Sequence, residues 1–142
     1  MSIKLVEVFT APDDATAAES VAEGPAGTDV IGLDGNSDVV PNMVEWESVL
    51  LGRLPEEHAT AAPPRIVADD GDQIFALSAE FQSALTSADH GRLMAAANEW
   101  VERFGPPRLE SEPDRTYDLF VSLSDLARAA TARQHGMYFW RC

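Results

Sequence analysis

The sequence predicts an α+β domain, a small and mainly antiparallel sheet packed against about three helices. Three observations carry that prediction. Between Ser78 and Phe104 the apolar residues Leu93, Ala96, Ala97, Trp100, Val101 and Phe104 recur at spacings of three and four, so they share one helix face; Arg92, Asn98, Glu99, Glu102 and Arg103 take the other. Ile66-Val67 and Ile74-Phe75 flank Asp69-Asp70-Gly71-Asp72, and Asp-Gly tolerates the positive φ that tight hairpins require. Near the end, Met137-Tyr138-Phe139-Trp140 reads as an aromatic strand, and apolar residues that dense imply a segment docked in a sheet. Residues 1–142 read as a single domain, long enough to bury a core.

Ile3 to Phe9 reads as the first strand, with Ile3, Leu5 and either Val8 or Phe9 inward, and Lys4 and Glu7 on a partly wet face. Pro12-Asp13-Asp14 offers a helix start. Ala15 to Ala22 is compatible with helix until Gly24-Pro25 stops it, but Val21 is its only large apolar side chain, which leaves helix and ordered loop both open. Thr28 to Leu33 is a short apolar strand, followed by the turn cluster Asp34-Gly35-Asn36-Ser37-Asp38. Met43 to Leu51 is the next helix, with Asn42 as N-cap, Gly52 past its C-terminus, and Val44, Trp46, Val49, Leu50 and Leu51 to bury. Arg53 to Pro64 holds three prolines and no periodicity, and reads as an irregular surface connection.

Arg65 to Ala68 and Gln73 to Leu77 are the hairpin strands. Ser78 caps the helix that follows, Glu80 complements its dipole, and Phe81 and Leu85 continue the stripe to a break near Ser87-Ala88-Asp89. Asp89 caps the main helix, which ends at Gly105-Pro106-Pro107. After a charged loop, Arg108 to Arg115, the longest helix runs from about Pro113 to Gln134. Its stripe is Leu119, Phe120, Leu123, Leu126, Ala127 and Ala130, with Gly136 as the expected C′ residue.

Composition narrows function by exclusion. Ten basic residues against 24 acidic ones give a net charge of −14. Nucleic-acid binding needs a basic face to displace counterions from phosphates, and an anionic membrane surface makes the same demand, so neither partner is expected. No apolar run approaches the roughly 20 residues that span a bilayer. The start MSIKLVEVFT carries one lysine, an acidic Glu7 and no small-residue cleavage pattern; it is not a secretion signal, and the protein reads as cytoplasmic. The single Cys142 excludes an internal disulfide and a multi-cysteine metal site. It has no histidine or lysine neighbour in sequence, and the adjacent terminal carboxylate works against a reactive thiolate.

One string has ligand-like spacing. From Asp34 to Glu45, oxygen-bearing side chains fall at the positions a calcium loop uses, Asp34, Asn36, Asp38, Asn42 and Glu45. Val39 stands where the sharp turn wants glycine, Pro41 interrupts the loop, and the preceding segment reads as a strand. A polar turn that caps the helix is the plainer reading. His58, His90 and His135 form no His-x-x-x-His pair and have no orienting partner in sequence, so helix-end or loop roles explain them. There is no serine elbow and no phosphate-binding glycine loop, and Ser78 and Ser124 have helical explanations. Asp69, Asp70 and Asp72 could pair as acid and base in a cleft, though a hairpin tip makes them hydrated turn residues. Trp46, Trp100, Trp140, Phe104, Phe120 and Phe139 could line a pocket, but at helical and strand spacing they read as core. No cofactor is expected.

Trp46-Glu47-Ser48-Val49-Leu50-Leu51-Gly52-Arg53, the hairpin and helices after it, and Gly136-Met137-Tyr138-Phe139-Trp140 resemble small uncharacterised bacterial proteins, particularly of actinobacteria, that share a tryptophan-led leucine-rich helix and an apolar end strand. The resemblance covers residues after about Asp38. It implies a single α+β domain and transfers no activity. The functional expectation is a non-enzymatic cytoplasmic interaction protein, of accessory or immunity type, that meets a basic protein partner through an acidic surface. The alternative is a small ligand-binding domain or enzyme with a pocket between sheet and helices. A homodimer through a sheet edge or the aromatic end strand stays open as well.

Overall fold

The computed structural model of the protein describes residues 6–19, 30–33, 39–60, 64–104 and 113–141. Its centre is the strand β5, Gly136–Arg141, in which Met137, Tyr138, Phe139 and Trp140 are all buried. Successive side chains of a strand point to opposite faces, so four buried residues in a row need cover on both sides. The sheet supplies that position. Its order is β2-β1-β5-β4-β3, every pairing antiparallel, with β1 at Val6–Ala11, β2 at Val30–Leu33, β3 at Arg65–Asp70 and β4 at Asp72–Ala76. The architecture is therefore α+β, with the aromatic segment as the middle strand rather than a free edge.

Register places like with like across β5. Phe139 faces Val8 on one side and Phe75 on the other, and the Phe75 and Phe139 rings stack with centroids 4.9 Å apart. Tyr138 faces Phe9 and Ala76, with Phe9 stacked on it at 5.7 Å. Each set belongs to a different core. Val8, Phe75, Met137 and Phe139 meet the helices, whereas Phe9, Ile74, Tyr138 and Trp140 pack on the other face with Ala17. Val8 and Phe9 are thus both inward, where the sequence pattern allowed only one, because both faces of β1 are covered.

The helical layer consists of α2 (Val39–Leu51), α4 (Ala79–Ser87), α5 (His90–Phe104) and α6 (Pro113–Ala132). Leu93, Ala96, Ala97 and Trp100 of α5 are buried against Trp46 and Val49 of α2 and Phe120, Leu123 and Ala127 of α6, as the three-and-four spacing predicts. Trp46 makes edge-on contacts with Trp100 at 5.9 Å and Phe120 at 6.1 Å. The side chain of Phe104 lies outside the described residues. Burying one such aromatic contributes about 1.5–3 kcal/mol, so this cluster is a main source of stability. α1, Asp14–Ala18, is the one helix among the described residues that packs on the opposite face, where Asp13 caps it by accepting the Thr16 N–H at 2.8 Å.

Several boundaries differ from expectation for local reasons. α2 starts at Val39, so Asn42 is its fourth residue and not its cap. Pro41 falls inside the first turn, where a backbone N–H has no intrahelical partner and its loss costs nothing. The stretch after Gly52 contains a short helix, α3 (Pro55–Ala59), with Pro55 at its first position and Glu57 accepting the Leu54 N–H at 2.9 Å. α6 closes on Gln134, whose φ is 61°, not on Gly136, which is already the first residue of β5. Gln134 N–H reaches Thr131 O at 3.1 Å and His135 N–H reaches Ala130 O at 2.8 Å, the paired bonds of a Schellman closure. Gly52 (φ 70°) and Gly71 (φ 84°) occupy the left-handed positions expected of a helix end and a hairpin turn.

Candidate functional site

Chemistry-bearing side chains gather in four places among the described residues. The first is the β3–β4 turn. Asp69 and Asp70 are exposed, Asp72 is half-buried, and Asp70 stands directly across the ladder from Asp72. None of the three takes part in an ion pair among the described residues. They sit at a hairpin tip, not in a cleft.

The second is a three-residue link between α1 and the sheet. Arg65 donates from Nη1 to Asp14 Oδ2 at 2.6 Å and from Nη2 to Asp14 Oδ1 at 3.3 Å, a bidentate pair. The phenol of Tyr138 donates to the same Oδ1 at 2.8 Å. The Arg65 and Tyr138 donors hold the Asp14 carboxyl below its usual range. Burial first, then the bond to the carboxylate, pushes Tyr138 up to about 12.

The third is a serine–histidine pair on α2 and α3. Ser48 Oγ lies 2.7 Å from His58 Nδ1, with the donor set by the imidazole tautomer. Ser48 is 0% exposed. It sits in the last turns of α2, where carbonyls converge and the dipole is negative, the wrong sign for an oxyanion. Arginines satisfy those carbonyls instead: Arg92 Nη2 donates to Val49 O at 2.6 Å and Leu50 O at 3.0 Å, and Arg103 Nη1 donates to Arg53 O at 3.0 Å. The pair fastens α3 to α2, and Ser48 has no exposed surface through which an acyl substrate could reach it.

The fourth is a recess of about 300 Å³ where β4 runs into α4 against α2 and the start of β3. Glu47 and Ser78 line it together with the apolar Met43, Leu77, Phe81 and Phe139. Glu47 Oε1 accepts from Ser78 Oγ at 2.6 Å and lies 3.5 Å from Arg53 Nη2. Ser78 also caps α4, as expected, by accepting the Phe81 N–H at 3.0 Å.

Asp34, Asn36, Asp38 and Cys142 lie outside the described residues. Glu45, the last position of the calcium-like string, is buried in α2 and accepts the Trp100 indole N–H at 2.9 Å. Among the described residues no group of three or more His, Cys, Asp or Glu side chains could hold a metal ion. His90 lies 3.1 Å from the Tyr117 hydroxyl, and the His135 carbonyl accepts from Gln82 Nε2 at 3.0 Å. Ser124, buried on α6, donates to Leu85 O at 2.7 Å and ties α6 to α4. Trp46, Trp100, Phe120 and Phe139 belong to the helix-side core, Trp140 to the other; of these only Phe139 reaches the recess. Among the described residues no helix is long and apolar enough to cross a membrane. Comparison with family models, curated proteins and solved structures gave no match for the chain.

Proposed function

We propose that the protein is a non-enzymatic, cytoplasmic interaction protein that meets a basic protein partner through its acidic surface. The observation that carries this reading is the β3–β4 tip, where Asp70 opposes Asp72 across the ladder and no cation of the described chain neutralises Asp69, Asp70 or Asp72. Directly opposed like charges destabilise a sheet pair by roughly 0.2–1 kcal/mol. A partner's lysines or arginines would relieve that repulsion, and the net charge of −14 would steer such a partner inward from a distance. The sealed position of Ser48 supports the non-catalytic half of the reading.

Pull-down from a lysate of the native host tests it. The expected result is a basic protein retained at low salt, released as salt screens the charges, and lost with the triple substitution Asp69→Asn, Asp70→Asn, Asp72→Asn. No partner at low salt, or one held equally by the triple variant, sinks the proposal.

A further inference from the structure

The recess beside Glu47 has the composition of a small-molecule site, and its unused hydrogen-bonding capacity selects the ligand. A volume of about 300 Å³ is at the lower end for ligand pockets, enough for one ring and a short chain. Pro64, Leu77 and Ala79 give it accessible apolar walls, while Met43, Phe81 and Phe139 border it but are almost wholly buried; such walls favour an apolar body. Its polar groups are mostly committed. Arg65 is held bidentately by Asp14. Ser78 Oγ donates to Glu47 and accepts from Phe81 N–H, which uses its proton and one lone pair. Glu47 Oε1 serves Ser78 and Arg53, but Glu47 Oε2 has no partner among the described residues.

Only 13% of the Glu47 side chain is exposed. A carboxylate so withdrawn from water, with a spare oxygen and one guanidinium nitrogen at 3.5 Å, favours a charged donor over a neutral one. It repels anions for the same reason. The chain's net charge of −14 raises the local concentration of cations and acts in the same direction. We infer that the recess binds a small primary amine with an apolar or aromatic body, its ammonium on Glu47 Oε2 and its body against Pro64, Leu77 and Ala79.

Calorimetric titration with phenethylamine, its alcohol analogue 2-phenylethanol and the anion 3-phenylpropionate tests this on the whole chain. The amine should bind saturably in the millimolar range, about tenfold or more tighter than the alcohol, with no binding of the anion. Glu47→Gln keeps an acceptor for Ser78 and should erase the preference for the amine. Ala79→Trp, at the exposed first residue of α4 on the recess wall, should block amine and alcohol alike. No saturable heat up to about 10 mM amine, equal affinity for amine and alcohol, or a preference that survives Glu47→Gln would each overturn the assignment. The hairpin-tip aspartates do not line the recess, so their triple substitution should leave amine binding unchanged. The two proposals therefore fail separately.

Discussion

Tyr138 should make the fold sensitive to alkali over a narrow window. Its side chain is 5% exposed on the α1 face of the sheet, and its hydroxyl proton sits on Asp14. Ionisation there would place a phenolate in the packed face beside a carboxylate, and its pKa is accordingly pushed up to about 12. In the unfolded chain a tyrosine ionises near 10. A group whose folded pKa is raised contributes stability that is complete below the unfolded value and disappears as pH climbs through the folded one. The window is therefore about pH 10 to 12, and two units correspond to roughly 2–3 kcal/mol. That is a large share of the ~5–15 kcal/mol that holds a domain together.

The chain suits the measurement, because one lysine, one cysteine and two tyrosines leave few other groups to titrate there. Urea unfolding followed from neutral pH to about 12 should show stability falling across the window. Tyr138→Phe removes the phenolic proton and its bond to Asp14. It should cost about 1 kcal/mol at neutral pH, since Asp14 keeps Arg65, and should flatten the alkaline limb so that the two curves converge or cross. An unchanged alkaline slope in Tyr138→Phe refutes the reasoning. So does phenolate absorbance of the folded protein, read in a Tyr117→Phe background, with its midpoint near 10.

Three further outcomes follow from the same geometry. Gln134→Gly should stabilise the protein by about 1 kcal/mol in thermal melts, because a left-handed φ of 61° burdens a residue with a Cβ while the Schellman bonds stay in place. Arg92→Met should cost about 2 kcal/mol by chemical denaturation, since two carbonyls at the end of α2 lose a charged donor, and Arg92→Lys should restore only part. In acid the α1 link should loosen. The Arg65 and Tyr138 bonds keep the Asp14 carboxyl low, so its contribution is present above the unfolded value near 3.8 and is lost as pH falls below it. The hydrogen-exchange protection factor of the Ala17 amide, bonded to Asp13 O, should fall there, and Asp14→Asn should show the lower protection already at neutral pH.

Much of the fold was legible because one local cause decided each element. The α5 stripe, the Asp-Gly turn and the Ser78 and Asp89 caps all act within a few residues, and each stands where the pattern puts it. The misplaced features are those in which two local causes compete. Gly136 looks like the end of α6, yet the aromatic run behind it recruits that glycine into β5, and the left-handed turn falls on Gln134. Arg53 to Pro64 reads as irregular for its three prolines and lack of periodicity, yet Pro55 opens α3 because the first helical position needs no N–H. Val8 and Phe9 could not both be assigned inward without knowing that β1 has cover on two faces.

The sites were less legible, and the reason is distance along the chain. Asp14 meets Tyr138 124 residues away, and Glu45 meets Trp100 across 55. No motif spacing encodes such pairs, since each is made by the order in which strands and helices stack. Charge and hydrophobicity still left a trace. Glu47 interrupts the apolar stretch of α2 between buried Trp46 and buried Ser48, and a carboxylate so close to a core is expensive unless something answers it. Ser78 and Arg53 answer one of its oxygens. Glu47 also lines an apolar recess, and its side chain is largely out of water, so among the described carboxylates it joins negative charge to walls that could hold the rest of a ligand. The hairpin-tip aspartates do not line that recess and act through charge alone, whereas Glu47 lines it.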